Sequence, residues 1–199
     1  MKDSYKTFGK ESKGQHKDKG SKFYAFGYHV ATVEEAKSHI ENLRKRYHDA
    51  RHHCFAYHIG HDNITYRIND DGEPSGTAGR SIYGRIKAHE LSNIVIVVVR
   101  YFGGTLLGTS GLIKAYRSAA ESCIMNAKII ECTIDSFFEI HFQYEQINKV
   151  MRLVKNESLK IINQVFDTNC KMELSVRQAK YGKVTKQFLE IENLKLVVP

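Results

Sequence analysis

The sequence predicts an α+β fold in two domains, and three features of its patterning carry that prediction. The run Val95–Val99 is apolar and β-branched at every position, as a strand buried on both faces would be. Two successive stretches alternate strand-like and helix-like periodicity, each with a hairpin signal between its helices. At 199 residues with 42% hydrophobic content, the chain can bury two small cores.

Residues 1–18 are rich in Lys, Gly and Ser and show no hydrophobic periodicity, so they are expected to form a mobile basic arm. Residues 22–30, KFYAFGYHV, alternate as a strand. Thr32 followed by Glu35 is a capping-box signature, and the helix it opens places Val33, Ala36, Ile40, Leu43 and Tyr47 on one face. His53–Ile59 and Ile64–Ile68 read as strands joined by a turn over Gly60-His61-Asp62-Asn63. A loop at 70–79, a helix at 79–91, the apolar strand at 93–100 and a helix over 111–127 complete the order β-α-β-β-α-β-α. After a connecting strand at 129–134, a second set follows. It comprises a strand at 137–142, a helix at 144–156 with Ile147, Val150, Met151 and Val154 inward, strands at 159–166 and 170–176, a helix at 178–191 and a strand at 194–198. That βαββαβ order is ferredoxin-like in outline. The first domain is therefore placed at 19–133 and the second at 134–199, with the boundary inside Ile129–Ser136.

The net charge is +8. Residues 1–133 carry 20 Lys and Arg against 14 Asp and Glu, and residues 134–199 carry 10 against 8. A basic first domain raises the expectation of a polyanionic partner. No apolar run approaches the ~18–20 residues of a membrane span, and the polar start does not read as a secretory signal. Cys54, Cys123, Cys132 and Cys170 are scattered without a CxxC, which fits reduced thiols in a cytoplasmic protein.

Two glycine-punctuated loops look chemical. Gly103, Gly104, Gly108 and Gly111 follow the apolar strand, and a helix starting near Ser110 would turn its free N–H groups toward them, with Lys114 and Arg117 one to two turns in. That is the general recipe for an anion site. The other reading is a tight connection packed on its own sheet. The loop Asp70-Asp71-Gly72-Glu73-Pro74 crowds three carboxylates into one turn. They could face a base, an amine or a metal, or they could satisfy loop amides and pair with Arg80 or Arg100. A strand through Arg51-His52-His53-Cys54 sends His52 and His53 to opposite faces, and its spacing matches no zinc motif. No GxSxG, GxxxxGK[ST] or GxGxxG occurs, so neither a serine elbow nor a nucleotide loop is supported, and no metal or cofactor is expected. Arg100-Tyr101-Phe102, with Lys114, Tyr116 and Arg117 nearby in sequence, suits base stacking combined with phosphate contacts, although core packing competes for the aromatics.

The motifs at 19–23 (KGSKF), 51–54 (RHHC), 70–79 (DDGEPSGTAG), 97–108 (VVVRYFGGTLLG) and 111–116 (GLIKAY) together resemble the YigZ/IMPACT family. The resemblance implies a first domain like the second domain of small-subunit ribosomal protein five. It also implies a ferredoxin-like second domain resembling the last domain of elongation factor G. It implies signature positions at His53, Asp71, Glu73, Arg100, Gly103, Gly104 and Lys114, without settling their roles. Eukaryotic members regulate translation under stress. Their extra N-terminal domain, which binds an activator partner, has no counterpart in the matched motifs, so that interaction is not carried over.

The leading expectation is a cytoplasmic protein, not an enzyme, that binds RNA or the ribosome and affects translation. It would have no membrane association and no DNA sequence specificity. Lys19, Lys22, Lys114 and Arg117 are the expected anion contacts. His53, Asp71, Glu73, Arg100, Tyr101, Gly103 and Gly104 form the expected pocket. The alternative is a hydrolase that uses Asp71, Glu73 and His53 with the glycine loop.

Overall fold

A computed structural model describes residues 3–61 and 63–197. The expectations that touch Met1, Lys2, Asp62 and Val198 lie outside the described residues. The chain divides into one unit at Tyr5–Cys132 and another made of residues 133–197 with Asp3 and Ser4.

The first unit holds β1 (Ser4–Phe8), β2 (Ser12–Asp18), β3 (Ser21–His29), α1 (Val33–Arg46), β4 (His52–Ile59), β5 (Thr65–Asn69), α2 (Gly79–Ala88), β6 (Ile94–Tyr101), α3 (Gly108–Met125) and β7 (Ile129–Thr133). Five strands form a sheet in the order β2-β3-β6-β4-β5, every neighbour antiparallel, while β1 pairs with β7. The central β6 is buried from Ile94 to Arg100 because both faces are covered. Ile94, Ile96 and Val98 face a core with Ile82 and Ile86 of α2 and Leu112, Ala115, Tyr116 and Ala119 of α3. Val95, Val97 and Val99 face Ala36, Ile40 and Leu43 of α1. The α1 cap is reciprocal: Thr32 Oγ1 accepts from the Glu35 amide, and Glu35 Oε2 accepts from the Ala31 amide.

The expected mobile arm is corrected: residues 4–8 and 12–18 are strands. Thr7 and Phe8 are buried, which fixes β1. β2 is the edge of the sheet, and it turns into β3 through Lys19 and Gly20, both at positive φ (42° and 77°), as a two-residue hairpin requires. Its inward positions Ser12 and Gly14 are small because α3 lies directly on them. Ser12 Oγ donates to the Cys123 carbonyl at 2.7 Å, and a Cβ on Gly14 would sit 2.2 Å from the Cys123 nitrogen. The backbone, not apolar bulk, holds this strand.

The second unit runs β8 (Asp135–Gln143), a 3-10 turn over Tyr144–Gln146, α4 (Ile147–Asn156), β9 (Lys160–Val165), β10 (Asn169–Arg177), α5 (Gln178–Leu189) and β11 (Lys195–Val197). Its antiparallel sheet has the order β11-β8-β10-β9. Phe138, Ile140 and Phe142 alternate inward against Val150, Val154, Val184 and Phe188. On the other face Phe137 is exposed, whereas Ser175, directly opposite it on β10, is buried. Met151, expected inward, is exposed, because Val150 and Val154 already fill the α4 contact. All four cysteines are free thiols. Among the described residues, no helix is long and apolar enough to cross a membrane.

The residue before α2, Ala78, offers no side-chain cap. Asp70 supplies one from the preceding loop: its carboxylate accepts from the amides of Gly76, Ala78 and Gly79 at 2.8, 3.0 and 2.8 Å. Replacing Asp70 with Ala is expected to cost about 1–2 kcal/mol in urea unfolding, whereas Asp70→Asn, which keeps one carbonyl oxygen at the cap, is expected to lose less than half of that.

Candidate functional site

Strand register decides which chemical side chains meet. Phe23, Arg100 and His52 are direct neighbours across β3, β6 and β4, and therefore share the sheet face that carries α2 and α3. Tyr101 and His53, one residue on from each, take the opposite face. The guanidinium of Arg100, 5% exposed, reaches Glu73, 8% exposed, in the carboxylate loop. Arg100 Nη1 donates to Glu73 Oε1 at 2.6 Å, and the Tyr116 hydroxyl donates to the same oxygen at 2.7 Å. Aromatic rings flank the cation, with Phe23 at 5.3 Å and Phe102 at 5.7 Å from the guanidinium carbon. The Arg100 Nε–H is buried and has no acceptor among the described residues.

A cleft of about 340 Å³ opens beside this pair. Arg51, His52, Glu73 and Arg100 give it a polar side, and Phe102, Leu107 and the start of α3 give it an apolar one. His52 Nδ1 lies 2.8 Å from the Asp71 carbonyl, which fits an Nδ1–H donor, and its Nε2 is 3.9 Å from Glu73 Oε1. Leu107, before α3, provides no side-chain cap. The Cys54 thiol lies within reach of the Asp70 carbonyl and the Tyr116 hydroxyl. Burial pushes both the Cys54 thiol and the Tyr116 phenol well up, so neither ionises near neutral pH.

The expected pocket is only partly assembled. Glu73 and Arg100 meet at the cleft. Asp71 turns away from it: one oxygen accepts from Arg44 at 2.9 Å, the other from the His53 amide at 2.6 Å. His53 is buried on the α1 face, where its Nε2 lies 3.1 Å from the Tyr47 carbonyl. Burial holds its imidazole below the usual range, against the raising effect of Asp71. The histidine at the cleft is His52, and strand parity is the signal that separates the two once the register is known. Tyr101 is also on the α1 side, its hydroxyl donating to Asp49 at 2.8 Å. Gly103 packs on the β2–β3 turn so closely that a Cβ would fall 1.9 Å from the Gly20 carbonyl carbon, and Gly104 follows at φ 87° with open space around it. Gly103 therefore docks the loop on the hairpin, and neither glycine lines the cleft. Lys19 and Lys22 are exposed on the hairpin, and Lys114 and Arg117 on the outer side of α3. Lys22 shares the α1 face with Tyr101, whereas α3 lies beyond the opposite face, so the four cations do not form one patch. Among the described residues, no group of three or more His, Cys, Asp or Glu is arranged to hold a metal ion.

Two outcomes follow from this geometry. Glu73→Ala strands a buried guanidinium and is expected to cost about 3–5 kcal/mol in denaturant unfolding, most of which Arg100→Met on the Glu73→Leu background restores. Because burial lowers the His53 pKa from its ordinary 6.5, the unfolded chain takes up that proton first. The stability this contributes is fully present above pH 6.5 and is lost as pH falls below it. His53→Gln is expected to make the decline of the melting midpoint with falling pH shallower.

The Impact N-terminal domain family matches residues 19–124, the stretch that holds the pair, the cleft, and the turn and second strand of the β2–β3 hairpin. An IMPACT family member of Haemophilus influenzae is 31% identical over 185 residues, covering 90% of this chain and 88% of that protein. YigZ of Escherichia coli, also named as an IMPACT family member, is 32% identical over 86% of this chain and 85% of its own length. The crystal structure of a hypothetical protein superposes with a TM-score of 0.78 at 28% identity, covering all of this chain and 98% of that one. The match spans both units, and the chain belongs to the IMPACT family.

Proposed function

We propose that the protein acts in the cytoplasm as a translation-associated factor that binds RNA or the ribosome through its first unit and regulates translation. The observation that carries this reading is a set of exposed cations. Lys17, Lys19 and Lys22 on the β2–β3 hairpin and Lys114 and Arg117 on α3 have no carboxylate within ion-pair distance among the described residues. Cations left unpaired on a chain of net charge +8 favour a polyanion over an acidic small molecule. Family membership adds translation, because the eukaryotic members that this sequence resembles regulate it. The sheet orders support the finer fold reading as well. Numbered within the second unit, the order is fourth-first-third-second, the arrangement expected of a ferredoxin-like βαββαβ domain.

The hydrolase reading has less support. Asp70 caps α2, Asp71 holds Arg44 and the His53 amide, and Glu73 holds Arg100 and Tyr116. The Cys54 thiol is kept protonated by burial. The carboxylates that would do the chemistry are engaged in holding the loops.

Titration of labelled single-stranded RNA over a salt series tests the proposal. Affinity is expected to fall with salt at a log–log slope of about −0.7 per phosphate contact, and Lys114→Ala with Arg117→Ala is expected to flatten that slope by about one to two. An unchanged slope removes α3 from the contact, and no binding by the wild type at low salt removes the RNA reading. Sedimentation with ribosomes at two salt concentrations extends the test to the assembled particle.

A further inference from the structure

We propose that the uncovered corner of the first unit's sheet, on its α1 side, is a stacking platform for the bases of single-stranded RNA. Tyr24, Tyr101 and Phe102 would supply the π faces, and Lys13, Lys17 and Lys22 would follow the phosphates. The proposal rests on the RNA reading above and assigns it a place.

Register builds the platform. Side chains alternate along β3, so Lys22, Tyr24 and Phe26 share one face. Lys17 stands opposite Lys22, which in turn stands opposite Tyr101. Gln15 stands opposite Tyr24, and Lys13 opposite Phe26. One helix, α1, has to cover this face of a five-stranded sheet, and it packs over the far side, on Phe26, Phe55, Tyr57 and the valines of β6. Its end stops with the Tyr47 ring 5.2 Å from Phe26. The corner beyond is left as two hollows of about 570 and 330 Å³ that share Tyr24 and Tyr47 as walls.

The chemistry of these walls selects the occupant. Neither hollow has a carboxylate in its lining, and both have lysine at the rim: Lys22 in one and, in the other, Lys13, which also pairs with the exposed Glu11 at 3.3 Å. The rings are held ready. Tyr24 meets Tyr101 edge-on at 6.1 Å, and Asp49 accepts the Tyr101 hydroxyl, which fixes the ring by its tip. Phe102 is 41% exposed. Preordered aromatic rings with cations alongside suit unpaired bases, each of which has a π face to stack, whereas a duplex keeps its bases stacked on one another. A sheet surface of this kind accommodates about two or three bases. The sequence order had associated Tyr101 and Phe102 with Tyr116, Lys114 and Arg117. Tyr116 is buried, and α3 packs on the other face, so the partners of Tyr101 come from β2 and β3.

The test compares two labelled probes of equal length, an oligouridine and an abasic ribose-phosphate oligomer, against the full chain. Wild type is expected to bind the oligouridine more tightly than the abasic strand. Tyr24→Leu with Phe102→Leu is expected to lose about tenfold or more in oligouridine affinity per ring removed, with abasic affinity and salt slope unchanged. Tyr24→Phe with Phe102→Tyr, which keeps both π faces, is expected to bind like wild type, and a melting midpoint near that of wild type shows that each variant is folded. Equal wild-type affinity for the two probes overturns the platform, as does a leucine variant that binds oligouridine normally. In either case salt-dependent RNA binding would survive. Failure of wild type to bind either probe at low salt overturns the RNA reading and the platform together.

Discussion

A guanidinium buried at the end of a central strand has to be paired, and much of the first unit is arranged to pair it. Arg100 follows the apolar run Ile94–Val99 of β6, and its carboxylate partner, Glu73, comes from a loop 27 residues earlier. Glu73 meets the cation only if that loop is folded back onto the sheet. Asp70, fastened to the amides of α2, and Asp71, fastened to Arg44 and the His53 amide, hold the loop there. Tyr116 brings α3 to the same oxygen, and the rings of Phe23 and Phe102 lie against the charge. Removal of either charged partner would leave the other desolvated without compensation, so two loops, three helices and three strands share one electrostatic constraint.

That constraint also divides the surface. Because side chains alternate along β6, fixing Arg100 toward α2 and α3 sends Tyr101 toward α1. The polar cleft with His52 and the aromatic corner with Tyr24 are therefore on opposite sides of one sheet, although their residues are neighbours in sequence. Gly103, pressed against the hairpin turn, carries the chain between the two sides, and Phe102 borders both.

The long periodic elements were legible in the sequence because their burial is periodic: α1, the apolar run of β6, α3 and the alternating β8 and β10 all follow it. β2 was not legible, because its inward positions are Ser12 and Gly14, chosen by the close approach of α3, and a polar edge strand has the composition of a flexible arm. The carboxylate loop could be read as chemical or as structural, and its hydrogen bonds are those of the structural reading. The pairing of Arg100 with Glu73 was among the readings that the residues left open. The choice between His52 and His53, or between Arg100 and Tyr101, depends on a register that local sequence does not contain.

Contact between RNA and the first unit, on its hairpin and on the α1 side of its sheet, is what the proposed function requires. Amide hydrogen exchange with and without a single-stranded RNA reads that contact residue by residue. New protection is expected in residues 13–24 and 101–103, and around Lys114–Arg117 where α3 joins the contact, with α4 and β9 unchanged. Protection confined to the second unit, or to the cleft around His52 and Glu73, would contradict it.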